Sequence, residues 1–153
     1  MRILFYAPFK PQGHANPSGD LAIAASICGY LEQAGHEVRH AGGPRMRWIY
    51  WKPWAWPRVA TALCRERRVF HRQPADLWLT YHTYYKAPDV LGPPLCRRMG
   101  IPYVIFQGIF STKRRRRIRT LPGYLLNRMA LLSARHLFTN RLECWQICRM
   151  VVC

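Results

Sequence analysis

The sequence predicts an α/β fold: a Rossmann-like parallel sheet with helices on both faces. Three observations predict it. Short apolar or aromatic runs alternate with helix-length segments along most of the chain. The runs are nearly continuous in apolar residues, the pattern of strands buried on both faces. Gly or Pro punctuates the junctions, as at Ala34-Gly35, Gly42-Gly43 and Gly100-Ile101-Pro102. Such alternation gives right-handed crossovers and collects the strand C-termini, with their ligand loops, on one edge of the sheet.

The elements follow in order. Arg2–Ala7 (RILFYA) reads as a buried strand that breaks at Pro8 into a loop carrying Gly13, Gly19 and three prolines. Leu21–Leu31 reads as a helix, with Ser18 a candidate N-cap. His36–Ala41 is a short second strand, stopped by Gly42-Gly43. Met46–Trp56 is aromatic-dense and punctuated by Pro53. A helix over Pro57–His71 sets Val59, Leu63 and Phe70 against Arg65, Arg67 and Arg68. Asp76–His82 (DLWLTYH) is a third strand, Pro88–Met99 a helix closed by Gly100, and Pro102–Gln107 (PYVIFQ) a fourth strand. A basic loop, Ser111–Arg119, leads to a helix over Leu125–Ala134 and a fifth strand over His136–Asn140. Leu142–Val152 is a last candidate helix.

Length and composition set bounds. The chain has 153 residues, about one domain, and half of them are apolar, enough for a real core. No window of about twenty residues lacks a charge, so no membrane-spanning helix is expected. Met1–Ala7 does not read as a secretory signal. The expected location is the cytoplasm, with peripheral attachment to the inner face of the membrane as an extension. Lys and Arg number 24 against 7 Asp and Glu, a formal charge of +17. Such a surface attracts polyanions: nucleic acid, anionic lipid or phosphate-bearing substrates. A GC-rich genome is the blander origin of the arginines. Of the six cysteines, Cys28, Cys64 and Cys96 lie singly in predicted helices and read as buried or half-buried, while Cys144, Cys148 and Cys153 crowd the end. No Cys/His spacing suits zinc, so no metal site is expected.

Four sets of residues gather at the predicted C-terminal edge. Ser18-Gly19 precedes the first helix, where glycine lets a ligand approach the backbone; an ordinary capped turn is the plainer reading. His82 ends the third strand, followed by Tyr84, Tyr85 and Lys86, whose rings and hydroxyls suit a sugar and whose ammonium suits phosphate. Gln107-Gly108 ends the fourth strand; Gln107 can hydrogen-bond a hydroxyl but is no general base. Lys113, Arg114, Arg115, Arg116 and Arg117 form the strongest electrostatic feature, read as a phosphate- or membrane-facing segment or as a solvated charge run. Trp48, Tyr50, Trp51, Trp54 and Trp56, interspersed with Arg45, Arg47 and Lys52, extend that surface or form a satellite core. No nucleophile elbow, paired-acid site or metal spacing is readable, and no catalytic residue is assigned.

The opening RILFYAPF…SGDLAIAASICGYLEQAGHEV resembles the start of family-4 GT-B glycosyltransferases. ADLWLTYHTYYKAPDVLGPPLCRRMGIPYVIFQG resembles that family's strand ending in histidine, its helix, and its next strand ending in His-Gly; HLFTN resembles a later strand. The likeness covers residues 1–141, taken as the N-terminal, acceptor-side Rossmann-like domain, with 142–153 an atypical tail. By position, Ser18-Gly19 matches the family's Gly-Gly loop, His82 its strand-end histidine, and Gln107-Gly108 its His-Gly. Gln107 departs from the histidine there. The resemblance implies glycosyl transfer from a sugar nucleotide to a carbohydrate or lipid-linked acceptor in an intact two-domain enzyme. The sugar nucleotide is then bound only with a second domain, whose E-x7-E motif has no counterpart here. This implies a truncated chain, inactive alone, or one working with a separate donor-binding protein. The alternative is a basic α/β nucleic-acid-binding module.

Overall fold

The computed structural model describes residues 1–9 and 19–139. Five strands, β1 (Arg2–Tyr6), β2 (Glu37–His40), β3 (Leu77–Thr83), β4 (Tyr103–Gly108) and β5 (His136–Phe138), form one sheet in the order β2-β1-β3-β4-β5. Every pairing is parallel: Ile3 lies between Val38 and Leu77, Trp78 pairs with Tyr103, and Val104 with His136. Four helices connect them: α1 (Gly19–Gln33), α2 (Trp56–Arg72), α3 (Gly92–Met99) and α4 (Leu121–Ser133). The Rossmann-like fold class expected from the alternating pattern is the one observed.

Strand alternation divides the core in two. Leu4, Tyr6, Trp78, Tyr103 and Ile105 point to one face and meet Val59 and Ala62 of α2, Leu95 and Cys96 of α3, and Tyr124 and Leu131 of α4. Ile3, Phe5, Leu79, Tyr81 and Val104 point to the other and meet Ala24 and Cys28 of α1. Helices therefore flank the sheet unequally. Beyond the reach of α1, Phe106 and Phe138 stand side by side with ring centroids 6.3 Å apart, 39% and 55% exposed.

Two buried carboxylates set the helices on the fuller face. Asp89 is fully buried before α3. Its Oδ1 accepts from the Leu91 and Gly92 amides at 2.8 and 2.9 Å. Its Oδ2 accepts from Thr80 Oγ1 at 2.6 Å and from the Tyr103 hydroxyl at 2.9 Å. Burial pushes this carboxyl above the usual carboxylate range, against the pull of its donors. On α2, Glu66 accepts from the Gly42 amide at 2.9 Å and pairs with Arg39 at 3.2 Å. That contact ties the chain just after β2 to the helix.

Several boundaries differ from the sequence-based ones, for local reasons. The third helix begins at Gly92 rather than Pro88, because the Asp89 carboxylate turns residues 88–91 into its capping loop. The fourth begins at Leu121 rather than Leu125. Pro122 occupies the first turn, where its missing N–H costs nothing, and Gly123 lets the helix approach Tyr50 and the Tyr85 carbonyl. The basic segment is not an open loop: it forms two 3₁₀ turns, Thr112–Arg116 and Ile118–Thr120, and two more, Ile49–Trp51 and Pro53–Ala55, lie in the aromatic stretch. Cys28 and Cys96 are buried as expected, but Cys64 lies on the outer side of α2 and is exposed. Ser18, Asn140 and the tail 142–153 lie outside the described residues.

Candidate functional site

The ends of β3 and β4 share an unusual backbone. His82 and Gln107 both have left-handed φ angles, 56° and 65°. For a residue with a side chain this costs about 1 kcal/mol and needs surrounding structure to hold it. Tyr81 pairs with Phe106 and Thr83 with Gly108, so the two strained residues lie side by side on adjacent strands.

Each acts as an extra residue that resets the alternation. Thr80 and Thr83 are three apart, yet both hydroxyls engage the Asp89 loop: Thr80 donates to its carboxylate and Thr83 accepts from its amide at 3.1 Å. Thr83 also donates to Asn127 Oδ1 of α4 at 3.1 Å, and Asn127 Nδ2 donates to the Ile109 carbonyl at 2.9 Å. On β4, Gly108 faces Leu131, Leu137 and Ile105 across the same side. The helix-covered face stays sealed, and His82 is turned instead toward α1.

There Asp20, in the first turn of α1, places Oδ1 3.3 Å from His82 Nδ1, a close approach without hydrogen-bond alignment. Phe9 stacks on the imidazole with centroids 5.8 Å apart and an interplanar angle of 26°. Tyr84 and Tyr81 meet it edge-on at 5.2 and 5.8 Å. Arg45 donates from Nε to the Phe9 carbonyl at 3.0 Å and lies over the Phe9 ring. Burial lowers the His82 pKa below 6.5, with Asp20 opposing in part, so the imidazole is neutral at neutral pH. A carboxylate facing Nδ1 favours the tautomer protonated there and leaves Nε2 as an acceptor. Burial pushes the nearby Tyr81 phenol up to about 12, so it stays a protonated donor.

A second cluster adjoins the first through Tyr84 and Tyr85, whose rings meet edge-on at 5.8 Å. Arg114 lies over the Tyr85 ring at 4.6 Å and Lys86 over both Tyr85 and Trp48 at 5.7 Å. The Trp48 amide donates to the Lys86 carbonyl at 2.6 Å, and Trp51 Nε1 to the Arg119 carbonyl at 3.0 Å. Thr120 Oγ1 donates to the Arg114 and Arg117 carbonyls, folding the arginine run into its turns. The aromatic stretch and the basic segment thus share one surface beside the strand ends.

Most of the predicted site residues do converge here. His82 and Gln107 lie together, and Gly19 begins α1 with open space around the position of a Cβ. Gly108 is different: a Cβ there would come within 2.6 Å of Leu137 and 2.8 Å of Leu131, so its smallness serves packing rather than ligand approach. Lys86 is held over rings, and of the arginine run Arg114 turns inward while Lys113, Arg115, Arg116 and Arg117 are exposed. Sequence reasoning missed the approach of Asp20 to His82. It also missed Phe9 and Asn127. No local signal carries these contacts, which join residues dozens of positions apart.

A cavity of about 230 Å³ lies at the opposite end of the sheet, beside Arg2, Glu37, Arg39 and Arg72. Its arginines are largely neutralised, Arg2 by Asp76 at 3.4 Å and Arg39 by Glu66. It lies far from the ligand edge of a parallel sheet. Among the described residues no three His, Cys, Asp or Glu side chains stand together as a metal site, and no helix is long and apolar enough to cross a membrane. No protein-family model matches the chain, and no curated protein matches it.

Proposed function

We propose that this chain forms the acceptor-side wall of a glycosyl-transfer cleft. The observation that carries the reading is the adjacent pair of left-handed strand ends, which hold His82 and Gln107 side by side at the C-terminal edge. Strain of this kind, maintained by buried Thr83–Asn127 and Asp89 contacts, marks a place where side-chain direction matters. Aromatic faces at Phe9 and Tyr84 suit the apolar face of a sugar ring, and neutral His82 and Gln107 supply hydrogen bonds to hydroxyls without charge. His82 Nε2 accepts from the acceptor hydroxyl while Asp20 steadies the opposite nitrogen. The sugar-nucleotide donor belongs on a second wall supplied by other polypeptide. The resemblance in the strand-end and glycine motifs supports the same reading.

The test is binding, because half a cleft turns over no donor. Proton–nitrogen NMR of the labelled chain, titrated with simple glycosides and sugar phosphates, should shift His82 ring resonances and the Gly108 amide. His82→Ala and Gln107→Ala should each weaken the response several-fold. Absence of shifts across the panel, or shifts unchanged in the double variant, would sink the proposal.

A further inference from the structure

We infer that the surface made by Trp51, Trp54, Ile118, Arg115–Arg117 and Arg119 docks this protein on an anionic lipid bilayer. Ile118 stands at the crest of the arginine run and is 86% exposed; Trp54 and Trp51 are 71% and 49% exposed. They lie on two segments, and the one that holds Ile118 also carries the exposed Arg115, Arg116, Arg117 and Arg119. The two sequence segments are fixed together by Trp51 Nε1 donating to the Arg119 carbonyl. Trp54 lies on the very next turn, Pro53–Ala55.

The cations are available. Among the described residues the ion pairs engage Arg2, Arg39 and Arg65, and none reaches Lys113, Arg115, Arg116, Arg117 or Arg119. The single carboxylate of the neighbouring site, Asp20, faces His82. A positive patch whose arginines pair with no carboxylate among the described residues, with protruding tryptophan and isoleucine, matches the lipid interface: guanidinium groups meet headgroup phosphates, while ring and aliphatic groups enter the boundary of the acyl chains. The 3₁₀ turns pre-orient these groups, so little order has to be gained on docking.

Ile118 favours a bilayer over single-stranded nucleic acid. There, bases stack on aromatic rings and phosphates meet guanidinium groups, and an exposed isoleucine between arginines adds little to either contact. At a bilayer it is the residue that inserts. Docking in this way holds whether or not the adjacent cleft binds a sugar.

The experiment is sedimentation of the full chain with vesicles of pure phosphatidylcholine and with vesicles containing about 30% phosphatidylglycerol. The chain should bind the anionic vesicles and leave the neutral ones. Replacing Arg115, Arg116, Arg117 and Arg119 by Gln should abolish that binding. The doubly substituted Trp54→Ser, Ile118→Ser variant keeps every charge and should still bind about tenfold more weakly. Both positions are exposed, and an unchanged circular dichroism spectrum excludes misfolding. Equal vesicle binding by wild type and the Trp54/Ile118 variant overturns the inference. If that variant keeps its vesicle binding but loses binding to polyuridylate, the surface belongs to nucleic acid.

Discussion

Along β1 and β2, arginines meet carboxylates; in the segment after β4, they meet rings and solvent. Arg2 pairs with Asp76, and the Asp76 carboxylate also accepts the Arg2 amide at 2.7 Å. Arg39 pairs with a Glu66 side chain that is only 3% exposed. After β4, Arg114 covers Tyr85, and Arg115–Arg117 engage no carboxylate among the described residues. The neighbouring strand ends carry the left-handed His82 and Gln107. A net charge of +17 says only that the chain seeks anions. The distribution of partners says where: one region uses its arginines for stability, and the other leaves them free beside a strained strand edge.

The sharpest way to break this contrast is to convert a satisfied arginine into an orphan. Glu66→Ala leaves Arg39 half-enclosed without its counter-ion and the Gly42 amide without its acceptor. The expected loss is about 3 kcal/mol in urea unfolding. Glu66→Gln, which still accepts from Gly42, should lose less. By contrast, Arg115, Arg116 and Arg117 all replaced by Ala should leave stability within about 0.5 kcal/mol. Comparable losses in both regions would erase the distinction.

The packing beneath the strand ends comes next. Gly108→Ala pushes a methyl into Leu131 and Leu137, and overpacking of this kind costs about 2 kcal/mol. The loss should appear in thermal or urea unfolding.

These sites show what could be read in advance. The strands and their parallel pairing were legible because RILFYA, DLWLTYH and PYVIFQ are apolar enough to be buried on both faces, with helix-length segments between them. Placement of His82 and Gln107 at the ligand edge followed from that topology alone. Their left-handed backbones were not legible, because few histidines or glutamines adopt that conformation and nothing local marks the ones that do; the Thr83–Asn127 contact and the Asp89 loop hold it, across 44 and 6 positions of sequence. The same physics hid the true start of α4, where Pro122-Gly123 reads as a break until Tyr50 and the Tyr85 carbonyl are seen against it. The Asp20–His82 approach joins α1 to β3 and leaves no mark on local pattern.

Strain at the strand ends can be measured directly. Gln107→Gly removes the side chain that makes φ of 65° unfavourable and should stabilise the fold by about 1 kcal/mol. Under the proposed function it should also weaken glycoside binding. A variant that gains stability and loses binding would show that the strand end trades one for the other. A destabilised Gln107→Gly would mean that the side chain itself holds the turn.

The smallest expected effect is a slope with pH. His82 has its pKa lowered below 6.5, first by burial, so the folded protein binds fewer protons at this site than the unfolded chain does. Stability from this group is therefore complete above the unfolded value and is lost as pH falls through 6.5. His40 shifts in the same direction, also by burial, and Asp89, raised by burial, slopes the opposite way above 3.8. The diagnostic quantity is thus the difference between wild type and His82→Asn in urea midpoints from pH 7.5 down to about 5. The wild type should lose more on acidification, and the variant's curve should be flatter by the contribution of this one imidazole. Parallel curves would place His82 in solvent-like surroundings, and the enclosure by Phe9, Tyr84 and Asp20 that distinguishes this end of the sheet would no longer hold.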